Sequence, residues 1–261
     1  MSDTLLRERV GHIEILTLNR PQVRNAINGE LARAIDSALT ELEAAPGVRV
    51  VVLTGAGDLA FSAGMDLKAA AAGEGRAALI GAAGFAGLVR RGFPKPLVCA
   101  VNGPALGGGF EIMLACDLAV AAAHATFGLP EASRGLLAGA GGLVRLPRRV
   151  PHALAAELAL TAAPISSDRA LALGLVNEVV PGPEVRAAAL ALAERVAANG
   201  PVAVRCAKRV LTAAAAGTED DGWNATESAL DEVRASADAQ EGPRAFAEKR
   251  APVWTGALIH E

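Results

Sequence analysis

The chain has 261 residues, and its 28 acidic and 25 basic side chains give a formal net charge of −3. Hydrophobic residues make up 52% of the sequence and charged residues 20%, which is too apolar and too weakly charged for a disordered protein. The near-neutral charge and the lack of a basic block argue against a protein that binds nucleic acid.

The sequence contains no pattern typical of a secretory signal, a membrane helix or a metal site. The N-terminal residues carry charges every few positions, unlike a secretory signal. The longest uncharged run, residues 96–110, is shorter than the roughly 20 apolar residues of a membrane helix. Cys99, Cys116 and Cys206 form neither a C-x-x-C motif nor a Cys/His metal spacing. We therefore expect a cytoplasmic protein in a reducing compartment, with no membrane or nucleic-acid partner and no metal site.

The first half of the sequence alternates strand-like and helix-like segments. Residues 13–18 predict a strand that ends at a turn signal, Asn19-Arg20-Pro21. Asn28 predicts the N-cap of a helix whose apolar residues recur at helical spacing. Three further apolar runs are typical of strands buried on both faces of a sheet: residues 48–54, 97–101 and 118–122. This alternation predicts an α/β fold in which helices pack against a sheet.

The second half is predicted to be mostly helical, with one further strand over residues 176–180. Residues 166–168 offer an N-cap and Gly174 a C-terminal stop. We expect a core over residues 1–190 that holds the site and a helical region over residues 191–261, without a hard boundary. The apolar faces of the helices in residues 191–261 predict an interface between copies of the chain. The predicted helices span residues 151–160, 167–173, 184–199 and 202–216.

Glycine-rich junctions follow several predicted strands. Glycine lets backbone N–H groups approach a ligand closely, and a helix that begins near Gly108 adds the positive end of its dipole. Two such N–H groups directed at one oxygen would form an oxyanion hole, although glycine-rich turns often serve only as tight connections. Neither the G-x-G-x-x-G spacing of a dinucleotide site nor the Gly-Lys-Ser/Thr of a phosphate loop is present. The three junctions are residues 61–67, residues 102–111 and residues 127–131, the last of which is followed by the glycine-rich stretch 139–142.

Two carboxylates flank these junctions. Glu111 lies one turn into a predicted apolar helix, and Glu131 lies between Pro130 and the last glycine-rich stretch. A single glutamate in such a place is more often a capping or salt-bridge residue. Two together favour a catalytic pair, because paired carboxylates can divide acid and base work between them.

These motifs resemble those of the enoyl-CoA hydratase/isomerase (crotonase) superfamily. The similarity in order and spacing extends over nearly the whole chain, from residues 19–26 to residues 246–250. The sequences that carry it are Ala63-Gly64-Met65-Asp66-Leu67, the run from Asn102 to Glu111, and Phe127-Gly128-Leu129-Pro130-Glu131.

The resemblance implies a spiral core of ββα repeats, a helical C-terminal trimerisation region, and a homotrimer or a dimer of trimers. It implies an acyl-CoA substrate whose thioester oxygen lies between the backbone N–H groups of Met65 and Gly108. Glu131 is then expected to donate a proton and Glu111 to activate a water that the Gly139 N–H holds. No cofactor is expected, because coenzyme A is part of the substrate. The residues expected to contact the substrate or its coenzyme A are Arg24, Ala63, Gly64, Asp66, Leu67 and Lys68, with Phe246 and Lys249 reaching it from a neighbouring subunit.

Departures from the family pattern bear on the substrate. Met65 stands where the family usually has a small residue, and Ala138 where fatty-acid hydratases commonly have proline. Residues 141–147 are more similar to dehydratases, including those that act on carnitinyl-CoA, and residues 69–91 are expected to cover the acyl pocket. The first hypothesis is a 2-enoyl-CoA hydratase acting in either direction. The alternatives are an acyl-CoA isomerase or dehydratase of the same fold, and a non-catalytic acyl-CoA-binding protein. Isomerases generally need one carboxylate, so the presence of both favours hydration.

Overall fold

The computed structural model describes residues 3–259 and consists of strands and helices in layers. The strands are β1 (Leu5–Val10), β2 (Ile13–Leu18), β3 (Val50–Gly55), β4 (Leu79–Ile80), β5 (Gly84–Phe85), β6 (Leu97–Val101), β7 (Ala105–Leu106), β8 (Leu118–Ala122), β9 (Thr126–Gly128), β10 (Ile165–Ser166) and β11 (Glu178–Val180). The α-helices are α1 (Gly29–Ala44), α2 (Leu67–Ala69), α3 (Gly108–Ala115), α4 (Gly142–Arg149), α5 (His152–Thr161), α6 (Ser167–Ala172), α7 (Val185–Ala197), α8 (Pro201–Ala216), α9 (Glu219–Arg234) and α10 (Asp238–Ala247).

A six-stranded sheet with the order β1-β2-β3-β6-β8-β11 forms the centre of the fold. The hairpin β1-β2 is antiparallel and the remaining pairs are parallel. Every residue of β3 and β6 is buried, as their apolar runs predict for strands covered on both faces. The sequence did not predict β1, because its charged residues (Arg7, Glu8 and Arg9) mask the strand pattern, whereas at the sheet edge these side chains reach solvent.

The helix signals in the sequence agree with the structure. Asn28 caps α1 by accepting the Leu31 N–H at 3.0 Å, and Ser166 caps α6 by accepting the Arg169 N–H at 3.2 Å. The predicted strand at 176–180 is shorter than expected, since it forms only at Glu178–Val180. No helix in residues 3–259 is both long enough and apolar enough to cross a membrane.

The C-terminal helices have a small apolar cluster of their own, formed by Val202, Cys206 and Ala229 between α8 and α9. The main core includes the buried face of α7 as far as Ala197. The expected boundary near residue 190 therefore falls inside α7, and the division into two regions stays a prediction.

The parallel strands bring the glycine-rich junctions together, because their carboxyl ends lie at one edge of the sheet. A parallel bridge joins Ser62 to Ala105, and the Leu106 N–H donates to the Ser62 carbonyl at 3.0 Å. The Gly107 N–H donates to the Gly128 carbonyl at 2.9 Å. Three junctions that are far apart in the sequence thus lie side by side.

Candidate active site

A cavity of about 990 Å³ opens where these junctions meet. Most of the substrate-contacting and catalytic residues expected from the sequence line it, whereas Gly64 is buried behind its wall. The expected residues in the lining are Arg24, Ala63, Met65, Asp66, Leu67, Lys68, Gly108, Glu111, Glu131 and Gly139.

The backbone N–H groups of Met65 and Gly108, both in this lining, have no hydrogen-bond acceptor within residues 3–259. The backbone hydrogen bonds on either side of Met65 do not use its N–H group. The Ile27 N–H donates to the Gly64 carbonyl at 2.7 Å, and the Asp66 N–H donates to the Ile27 carbonyl at 3.0 Å. At Gly108 the N–H belongs to the first residue of α3, where helical N–H groups lack intrahelical acceptors. Both groups are free to bind an oxygen in the cavity.

Gly64 allows these two N–H groups to lie close together. Its φ of +84° lies in the left-handed region, and a Cβ at this position would lie 2.6 Å from the Gly108 nitrogen. Gly64 immediately precedes Met65 in the chain, so the close approach of Gly64 to Gly108 brings the two donors to the same side of the cavity. The arrangement has the form of an oxyanion hole.

Glu111 projects from α3 into the cavity wall with only 2% of its surface exposed. Its Oε1 accepts the Gly142 N–H at 2.7 Å, which fixes the carboxylate. Burial raises the pKa of Glu111 to about 7, and the nearby Glu131 adds to the increase. The backbone N–H groups of Gly142 and Ala140 and the charge of Arg145 act in the opposite direction. A carboxyl group with this pKa exchanges protons readily at neutral pH.

Glu131 approaches the cavity from a 3-10 helix, Pro130–Arg134. Its Oε2 is buried and has no hydrogen-bond partner among residues 3–259. Its Oε1 lies against Gly107, where a Cβ would come within 2.9 Å of it. Burial raises the pKa of Glu131, while its own backbone N–H and Arg134 oppose the change. An unpartnered buried oxygen favours the protonated acid, which can donate this proton to a ligand.

The carboxylate of Asp66 is occupied by protein groups rather than free for a ligand. It accepts the Lys68 and Ala69 N–H groups, each at 3.2 Å, and forms a salt bridge with Arg20 at 2.9 Å. Burial acts to raise the pKa of Asp66, but the Arg20 hydrogen bond and these amides outweigh it and lower the pKa overall. Asp66 therefore caps α2 and shapes the loop that carries Met65.

Phe246 and Lys249 lie away from the chain's own cavity. Phe246 is near the end of α10 with 87% of its surface exposed, and neither residue is part of the cavity lining. Their expected contact with a neighbouring subunit's substrate stays a prediction.

Several cavity residues were not predicted individually from the sequence. Phe85, Val89 and Arg90 come from the segment 69–91, which was expected to cover the acyl pocket, and Ala140 comes from the glycine-rich stretch 139–142. No sequence pattern pointed to Arg134, Leu136 or Leu137. The Gly142 N–H that holds Glu111 also escaped notice, since a contact across 31 residues has no local pattern.

The chain is similar to known proteins over nearly its whole length. Residues 8–257 match the family model described as Enoyl-CoA hydratase/isomerase. A carnitinyl-CoA dehydratase of Salmonella typhi is 42% identical over 98% of this chain and 100% of its own length. The structure of an enoyl-CoA hydratase from Mycobacterium tuberculosis is 45% identical, covers 98% of this chain and 100% of its own, and superposes with a TM-score of 0.93. A carnitinyl-CoA hydratase from Mycobacterium avium is 46% identical with the same coverage and a TM-score of 0.79.

Proposed function

Because this chain belongs to the enoyl-CoA hydratase/isomerase (crotonase) family, we propose that it catalyses the reversible addition of water to a 2-enoyl-CoA thioester. It is a hydro-lyase of that family with the α/β crotonase fold and C-terminal helices. The observation that supports the finer proposal is the pair of glutamates in the cavity lining: Glu111 is buried and Glu131 half-buried, and burial raises the pKa of each. The same lining presents the free backbone N–H groups of Met65 and Gly108.

The oxyanion hole acts on the thioester carbonyl. Attack of water at C3 of the substrate moves electrons onto the thioester oxygen and produces an enolate. The N–H groups of Met65 and Gly108 stabilise this charge where it develops, and the loss of one such donor typically costs about 3–4 kcal/mol of transition-state stabilisation. Because both donors are backbone groups, their position depends on the loop at Gly64 and on the start of α3.

The two glutamates divide the proton transfers. Ionised Glu111 removes a proton from the water as its oxygen bonds to C3, and protonated Glu131 donates a proton to C2 of the enolate. The exposed Gly139 N–H is available to hold the attacking water, since it too lines the cavity. The charge of Glu131 acts on the pKa of Glu111, so we expect the two carboxyl groups to titrate as a pair, and one proton between them would match the need for one acid and one base.

Cationic side chains at the cavity suit the phosphates of coenzyme A. Arg24 and Lys68 are exposed and form no salt bridge within residues 3–259. Unpaired cations at the mouth of a cavity attract anionic ligands. Hydratases of the crotonase family typically need no cofactor, and the proposed reaction uses only water and the substrate.

The chemistry of the cavity wall favours an uncharged acyl group. Its apolar side chains include Leu79, Phe85, Val89, Leu136 and Leu137. A carnitinyl group carries a quaternary ammonium, which proteins commonly hold in a cage of aromatic rings. Phe85 is the one aromatic residue that residues 3–259 contribute to this lining, and the sequence has no tyrosine. The positive charges of Arg90 and Arg134 would repel the quaternary ammonium. The names of the carnitinyl-CoA relatives make that substrate the second candidate.

A substrate panel separates the two candidates. We expect purified enzyme to hydrate crotonyl-CoA and longer 2-enoyl-CoA thioesters, with carnitinyl-CoA dehydrated at least about 100-fold less efficiently in kcat/KM. The conversion is followed by the loss or gain of the enoyl-thioester absorbance. Efficient turnover of carnitinyl-CoA alone would contradict the proposed acyl specificity, and no turnover of any thioester would contradict the proposed reaction.

A further inference from the structure

Arg145, on the first turns of α4, links two walls of the cavity from behind. Its Nη2 donates to the Val89 carbonyl, which belongs to the wall next to Phe85. Its backbone N–H donates to the Gly141 carbonyl at 2.8 Å, and a Cβ at Gly141 would lie 2.1 Å from its Nη1. The guanidinium therefore lies flat against the backbone of the turn that precedes α4.

The same turn holds the proposed catalytic base. Gly142, one residue after Gly141, donates its N–H to Glu111 at 2.7 Å. A side chain that fixes Gly141 thus fixes the donor that orients the Glu111 carboxylate. Gly141 has a φ of +106°, so glycine is needed here both for this conformation and for the approach of Arg145.

The positive charge of Arg145 acts on Glu111 without a salt bridge between them. Arg145 is partly buried and lies more than 4 Å from every carboxylate of the described residues. The titratable groups with the largest effects on its pKa are Arg149, Glu111, Cys116 and Arg148, and those with the largest effects on the pKa of Glu111 are Glu131 and Arg145. Burial lowers the pKa of Arg145, with Arg149 acting in the same direction, but an arginine side chain stays protonated in a folded protein.

We propose that Arg145 is a positioning residue for the hydration reaction: it ties the Val89 wall to the Gly141–Gly142 turn, whose Gly142 N–H orients the Glu111 carboxylate, and its positive charge favours the ionised form of Glu111 that activates water. The inference rests on the proposed function, because it assigns the base role to Glu111. Arg145 is not part of the cavity lining, so it acts on the reaction through Glu111. The charge of Arg145 opposes the rise in the pKa of Glu111 that burial and Glu131 cause.

Substitutions separate the charge of Arg145 from its hydrogen bond. Arg145→Gln keeps a donor for the Val89 carbonyl and removes the charge, whereas Arg145→Lys keeps the charge. Arg149→Gln is the matched control, since Arg149 lies one turn further along α4, donates to the Cys116 carbonyl at 3.2 Å and has less effect than Arg145 on the pKa of Glu111. Arg145→Met replaces Arg145→Gln if the latter does not fold, as judged by thermal melting.

The first readout is the pH profile of kcat/KM with crotonyl-CoA. The acidic limb reports the group that must be ionised, so loss of a nearby positive charge is expected to move it to higher pH by about half a unit or more in Arg145→Gln. Arg145→Lys and Arg149→Gln are expected to keep the limb of the unmodified enzyme. A folded Arg145→Gln with an unmoved limb would overturn the inference, because a purely structural role lowers stability without moving this limb.

The second readout does not depend on turnover. Titration of carboxyl-labelled glutamate by NMR, with the Glu111 signal identified by its loss in Glu111→Gln, is expected to show the same upward shift in Arg145→Gln. If the unmodified enzyme hydrates no thioester but this shift is seen, the proposed function fails and the effect of Arg145 on Glu111 stands. If hydration is seen without either shift, the inference fails alone.

Discussion

At the scale of single residues, the two glutamates differ in the groups that surround them. Glu111 has one oxygen fixed by the Gly142 N–H, while Glu131 has a buried oxygen with no partner among the described residues. A fixed carboxylate suits a base that must be oriented towards water, and an unpartnered one suits an acid that gives its proton to the substrate. The asymmetry supports the assignment of base to Glu111 and acid to Glu131.

Replacing either glutamate with glutamine tests this division. Glu111→Gln and Glu131→Gln are each expected to lower the kcat for hydration of crotonyl-CoA by at least about 100-fold, because glutamine keeps the shape and loses proton transfer. The dissociation constant of a non-reactive acyl-CoA, measured by calorimetry, is expected to stay within a few-fold of that of the unmodified enzyme. Hydration at an unchanged rate in either variant would rule out that residue's role.

The raised pKa of Glu111 also predicts a pH-dependent cost in stability. The folded state holds the proton up to a pH of about 7, whereas the unfolded chain releases it near 4.5. Between these values the unfolded state binds fewer protons, so the stability of the unmodified protein falls as the pH rises. Glu111→Gln removes this cost, which is at most about 3 kcal/mol.

The corresponding measurement is the midpoint of thermal unfolding at two pH values. At pH 8 the Glu111→Gln variant is expected to melt at a higher temperature than the unmodified protein, and at pH 4 the two midpoints are expected to converge. A variant that is less stable at pH 8 would show that ionised Glu111 is held by favourable contacts that outweigh its burial.

Both glutamates and both oxyanion residues can be named from the sequence because they sit inside continuous motifs. Arg145 and Gly142 cannot be assigned roles in this way, since their partners Val89 and Glu111 lie 56 and 31 residues away. At Asp66 the motif predicts a ligand contact, which stays a prediction, and only the structure shows that its carboxylate caps α2 and pairs with Arg20. Contacts between distant segments decide what a motif residue is free to do.

At the scale of elements, the proposed oxyanion hole depends on how closely the loop before α2 packs against the start of α3. Gly64→Ala is expected to abolish hydration, because its Cβ would meet the Gly108 nitrogen at 2.6 Å. Gly73→Ala is the matched control, since Gly73 has a similar φ of +88° and nothing within 4 Å of its Cβ position. Both variants carry the left-handed backbone strain of roughly 1–2 kcal/mol, but only the first displaces a donor.

The comparison is made on kcat for crotonyl-CoA together with thermal melting. Equal loss of activity in Gly64→Ala and Gly73→Ala would attribute the effect to backbone strain alone. Met65→Ala completes the set: it is expected to keep most activity, because only the backbone N–H of Met65 is used.

The regular elements were predicted best where the pattern is local. The buried strands β3, β6 and β8 and the capped helices α1 and α6 agree with the sequence, since burial on both faces and capping leave a clear signature. The short strands β7, β9 and β10 were missed because two or three residues carry no periodicity. These short strands nevertheless bring the glycine-rich junctions together. The sequence therefore predicts which residues belong to the candidate site but not how the fold brings them together.

At the scale of the whole molecule, the C-terminal helices leave large apolar side chains on the surface. Leu211, Trp223 and Phe246, one on each of α8, α9 and α10, are each more than half exposed. The small apolar cluster between α8 and α9 does not include them. Such a surface favours association between copies of the chain, and we propose a homotrimer or a dimer of trimers.

Light scattering at micromolar protein concentration is expected to give the mass of three or six chains. Phe246→Asp is expected to shift this mass downwards and to weaken binding of acyl-CoA, because the neighbouring subunit would lose a wall of its site. Lys249→Ala, in contrast, should weaken binding without changing the mass. A fully active monomer would contradict both the assembly and the shared site.

The central claim, that this chain adds water to an enoyl thioester with Glu111 and Glu131, is tested most directly by the fate of water oxygen. Crotonyl-CoA is incubated in heavy-oxygen water with the unmodified enzyme, Glu111→Gln or Glu131→Gln, and the thioester products are analysed by mass spectrometry. The account predicts a 3-hydroxyacyl-CoA that carries the heavy oxygen at C3 with the unmodified enzyme and almost none with either variant. A rearranged product of unchanged mass, or equal incorporation by all three proteins, would contradict it.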